Sequence, residues 1–63
     1  METYRIIFRD TADSQHEVLV KCTLAGVNAI ATALYLQGSL SVRVYAGDKE
    51  QYNEEPIINL RVY

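Results

Sequence analysis

Cysteine occurs once, at Cys22, so no disulfide can close within the chain. Without a second Cys or a His pair nearby, no standard zinc site is available either. His16 is also alone, which leaves no set of convergent groups for acid–base or nucleophilic chemistry. No Ser/His/Asp arrangement, no paired carboxylates on one element and no Gly-rich phosphate loop appears. With three Gly and one Pro, low-complexity and collagen-like architectures are excluded. No apolar run reaches the roughly 20 residues of a membrane span. The stretch METYRIIFRD lacks the basic segment, long apolar core and small-residue cleavage site of a secretory signal. The expectation is a soluble, cytoplasmic, non-enzymatic protein with no cofactor, no metal, no membrane association and no evident small-molecule substrate.

What is present is ordinary globular composition: 49% hydrophobic and 22% charged residues over 63 positions, with a net charge of −2. A chain of this length forms one domain, residues 1–63, and buries only about 60% of its unfolded surface. A second subunit would therefore add to its stability.

Four segments carry strand chemistry and one carries helix chemistry. YRIIFR, 4–9, alternates Tyr4, Ile6 and Phe8 against Arg5, Ile7 and Arg9. HEVLVKC, 16–22, sets Val18, Val20 and Cys22 against Glu17, Leu19 and Lys21, and the turn formers of 10–15 join the two as a hairpin. LSVRVY, 40–45, alternates Leu40, Val42 and Val44 with Ser41, Arg43 and Tyr45, and IINLRVY, 57–63, is the last strand. Between these pairs TLAGVNAIATALYLQG, 23–38, has no charged residue; Thr23 suits an N-cap and Gly38 a C-terminal stop. The expected fold is α+β, a single ββαββ domain. If all neighbours are antiparallel, the sheet order is 2-1-3-4 with the helix on one face.

The most apolar side of each strand faces the helix and predicts a core of Tyr4, Ile6, Phe8, Val18, Val20, Cys22, Leu40, Val42, Val44, Ile58, Leu60 and Val62. The opposite, open face collects Arg5, Arg9, Lys21, Arg43 and Arg61 with Ile7, Leu19, Tyr45, Ile57 and Tyr63, and Glu17 as its acid. Of these, Arg5, Ile7, Arg9, Leu19, Lys21, Arg43, Tyr45, Arg61 and Tyr63 form the candidate partner-binding face. It suits either a protein or the phosphates and bases of a nucleic acid, although long basic and aromatic side chains also serve simply to cover a solvated sheet. An acidic loop, 46–56, borders it with Asp48, Glu50, Glu54 and Glu55, a candidate contact for a cation or basic partner or a solvated connection. Asp10 and Asp13 read as turn residues.

A helix with no charge has no obvious face to turn to water. At 100° per residue, Val27, Ile30 and Leu34 point to the sheet with Leu24 and Ala31 beside them, and Asn28, Thr32 and Tyr35 form a polar stripe. Ala25, Gly26, Ala29, Ala33 and Leu36 form a small, apolar outer ridge, a candidate oligomer interface and most economically that of a homodimer; good helix formers alone would also account for the alanines. The expected function is protein binding, blocking or bridging a partner macromolecule, with nucleic-acid binding through the open sheet face as the alternative. The order of elements is similar to that of several small phage-encoded inhibitors, including some anti-CRISPR proteins and a phage inhibitor of uracil-DNA glycosylase. That resemblance is one of architecture, rests on no signature residue and carries over no site residue. It implies work by occlusion.

Overall fold

The computed structural model describes residues 1–62. The elements are β1 (Glu2–Arg9), β2 (Gln15–Cys22), α1 (Leu24–Leu36), β3 (Ser41–Ala46) and β4 (Ile58–Arg61). All neighbours are antiparallel and the sheet order is β2-β1-β3-β4, so the α+β arrangement and the strand order expected from connectivity both hold.

Register follows from the alternation. Ile6 stands between Val18 and Val44, and Val42 opposite Leu60, all on the helix side. Arg5 stands between Leu19 and Tyr45 on the other. α1 starts where Thr23, in an extended conformation, accepts the Gly26 N–H on its side chain at 3.1 Å; the cap satisfies one of the donors a first turn leaves open. It ends as Gly38, at φ 113°, turns the chain toward β3, a left-handed geometry that glycine adopts without strain.

The core is smaller than the alternation predicts. Tyr4, Ile6, Val42 and Val44 are buried with Val27 and Ala31 of the helix, while Phe8, Val20, Cys22, Ile58 and Leu60 pack around them half-buried. Val18, Leu40 and Val62, expected inside, are exposed. The cause is the helix position. α1 lies mainly over β3 and β4 and least over β2, so Val18, on the outer strand, has no cover. Leu40 and Val62 flank the strand ends at the rim.

The helix is also turned relative to expectation. Val27, Ala31, Leu34 and Tyr35 face the sheet, whereas Ile30 and Leu24, placed inside by the sequence reading, are exposed. Ala31 lets the backbone approach the sheet closely. Tyr35 belongs to this inner side and not to a solvent stripe, its hydroxyl donating to the Arg61 carbonyl at 3.1 Å and tying helix to β4.

Candidate functional site

Three surfaces stand out, each traceable to one of the elements above. The first is the sheet face opposite the helix, which is not fully open. The chain between β3 and β4 turns back over it, through Gly47 at φ 89° and Asn53 at φ 56°. Both conformations lie in the left-handed region that Gly and, less freely, Asn tolerate. Glu54 descends from this loop to pair with the Arg5 guanidinium. The guanidinium carbon also lies 5.2 Å from the centre of the Tyr45 ring, within cation–π range. Arg5 is 2% exposed and Tyr45 is buried as well. Neither belongs to an accessible docking face, and the reason is the same loop.

Beneath the loop is a cleft of about 380 Å³, walled on the sheet side by Arg5, Ile7, Glu17, Arg43 and Tyr45 and on the loop side by Glu50, Gln51, Asn53 and Glu54. Arg43 donates to the Tyr45 hydroxyl at 3.3 Å, and among the described residues the buried Arg5 Nε has no acceptor. Cations and carboxylates alternate around this space, so it has no uniform positive potential for a phosphate chain. Arg9 is partly satisfied by Asp13 at 3.0 Å. Leu19, Lys21 and Arg61 remain exposed, Ile7 is half-buried, and Tyr63 lies outside the described residues. In the acidic loop, Asp48, Glu50 and Glu55 are exposed, and Glu54 is drawn inward by Arg5.

The second surface is the hairpin between β1 and β2, organised by Asp10. Its Oδ1 accepts the N–H groups of Ala12 and Ser14 at 2.9 and 3.0 Å, and its Oδ2 lies 2.8 Å from His16 Nε2. These contacts favour the ionised carboxyl: the His16 hydrogen bond first, then the Ser14 N–H, hold Asp10 below its ordinary value of 3.8. His16 also stacks on Phe8, with ring centres 5.0 Å apart. Both groups therefore serve the turn, and Asp13, at φ 64°, completes it. Among the described residues no cluster of His, Cys, Asp and Glu side chains gathers as a metal site would require, and no helix is long and apolar enough to cross a membrane.

The third surface is the outer side of α1. Ala25, Ala29, Ala33 and Leu36 are exposed together, Leu36 to 78%, while Leu24 and Ile30 are exposed on other sides of the helix. Gly26 is the exception within the predicted ridge. A Cβ there would stand 3.3 Å from Cys22 Cβ and Thr23 Oγ1, so this position faces the domain's own strand β2 and not a partner. Comparison with family models, with curated proteins and with solved structures finds no match.

Proposed function

We propose that the protein is a non-enzymatic protein-binding module, dimeric in its working form, which blocks or bridges a partner protein in a reducing, cytoplasmic compartment. The observation that carries this reading is the uncharged outer face of α1, where Leu36 remains exposed beside Ala25, Ala29 and Ala33. Apolar surface gathered on one face in this way favours association, whereas isolated exposed apolar residues are commonplace. A single half-buried thiol suits a reducing environment. The likeness in element order to small phage inhibitors supports a blocking role, and the Glu54 cover over Arg5 with the acidic loop above it argues against phosphate as the ligand.

The test is affinity capture from the native host with the wild-type chain and with Ala33→Glu, with and without nuclease. A protein retained by the wild type, insensitive to nuclease and lost with Ala33→Glu, is the expected result. Capture that disappears on nuclease treatment, together with oligonucleotide binding that weakens steeply as salt rises, would establish the nucleic-acid alternative instead.

A further inference from the structure

We infer that two copies of the chain join edge to edge through β2, antiparallel and centred on Leu19, to make one continuous sheet from two sheets of four strands. This assigns the seam of the dimer proposed above and rests on that dimeric reading.

The direction of the backbone groups comes first. The Gly47 N–H donates to the Thr3 carbonyl at 2.9 Å, so odd-numbered residues of β1 address β3. Even-numbered residues of β1 then address β2, and the Asp10 N–H to Ser14 carbonyl bond at 3.0 Å continues that phase through the hairpin. On β2 the N–H and C=O groups of Glu17, Leu19 and Lys21 consequently point off the sheet. β2 is eight residues long, without proline and in unbroken register with β1. At the other edge β4 has four residues and follows Pro56 by two positions. Exposed edges are ordinarily kept short or interrupted. β4 is short; β2 is neither short nor interrupted, and its edge charges, Glu17 and Lys21, repel a second copy only in registers that set like charges opposite.

Charge selects the partner and the register. Pairing Leu19 with Leu19 of a second copy sets Glu17 opposite that copy's Lys21, and Lys21 opposite its Glu17, at both ends of a leucine pair. Centring on Glu17 or on Lys21 would bring like charges together, and pairing Glu17 with Leu19 would leave both charges unmatched. Within one chain Glu17 and Lys21 make no ion pair among the described residues. On the helix side the same register places Val18, 42% exposed, against the second copy's Val20. The seam is thus apolar on the face that α1 leaves uncovered and carries matched charges on the other. Residues opposite each other share a face, so both helices lie on the same side of the joined sheet, each with its outer face free for a partner protein.

Sedimentation equilibrium over a wide concentration range tests this, with far-ultraviolet circular dichroism to confirm folding. The wild type is expected to dimerise. Leu19→Pro removes an N–H that points off the sheet and no bond to β1, so it is expected to stay folded and become monomeric. Glu17→Lys and Lys21→Glu are each expected to weaken the dimer about tenfold, since each places like charges opposite one another at both symmetric positions. The double variant Glu17→Lys/Lys21→Glu restores complementarity and should recover association, which a merely structural defect would not do. A wild type that is monomeric throughout overturns the dimer and its seam together. A dimer unaffected by Leu19→Pro and by the charge changes, yet lost in Ala29→Glu, overturns the β2 seam alone and puts the interface on the helix. Should Leu19→Pro fail to fold, the charge-reversal series decides by itself.

Discussion

The Arg5 guanidinium and the Glu54 carboxylate, 49 positions apart in sequence, meet beneath the β3–β4 loop with the Tyr45 ring beside them. This pair is what converts a long acidic connection into a cover for one side of the sheet.

Removing the acid alone leaves Arg5 charged and without its carboxylate. Glu54→Gln is expected to destabilise the fold by roughly 1–3 kcal/mol, less than the full loss of a rigid buried pair because the loop can lift and admit water. Replacing both residues with Arg5→Met and Glu54→Gln is expected to recover much of the loss, since no buried charge then remains. Urea denaturation of the two single variants and the double variant measures the coupling, and strictly additive losses would contradict it.

Asp10 predicts a response to acid. Its carboxyl is held below 3.8 by His16 and by the Ser14 N–H, so the folded state binds that proton less readily than the unfolded chain. Its contribution is therefore present above the unfolded value and lost as the pH falls through the folded one. Asp10→Asn is expected to lower the melting temperature at neutral pH, with the two melting curves converging at pH values below 3.8. A difference that persists undiminished into strong acid would show that the effect is not ionic.

Neighbouring alanines of α1 should respond differently to enlargement. Ala31 is fully buried against the sheet, and Ala31→Leu is expected to cost about 1–3 kcal/mol through overpacking. Ala33→Leu, on the exposed side, should change the stability of the monomer by less than about 0.5 kcal/mol. Thermal melts at a concentration where the protein is monomeric make the comparison, and equal losses would put the two residues in equivalent surroundings.

The strands and their order were legible because alternation assigns faces and short connections favour antiparallel neighbours; Tyr4, Ile6, Val42 and Val44 follow directly. Arg5 was not legible as a buried residue. An arginine alternating with apolar neighbours looks the same whether water or a loop lies above it, and its partner is distant in sequence. Four acids in the 46–56 segment gave no sign that Glu54 would be the one to turn inward. The rotation of α1 escaped for a different reason. A helix without charges offers little polar contrast to fix its rotation, and the structure turns Tyr35 inward and Ile30 outward. Gly26 was misplaced for a related reason, since helical spacing alone does not show that β2 ends directly against it.

The strand order has a kinetic corollary. β1 and β2 are joined by a short turn, so their pairing closes little chain, whereas β3 reaches β1 only after the whole of α1 has been laid down between them. Closing that longer loop costs more entropy before any contact repays it. The pairing of Ile6 with Val44 is then the step expected to limit folding, with β4 expected to add to the far side of β3 afterwards.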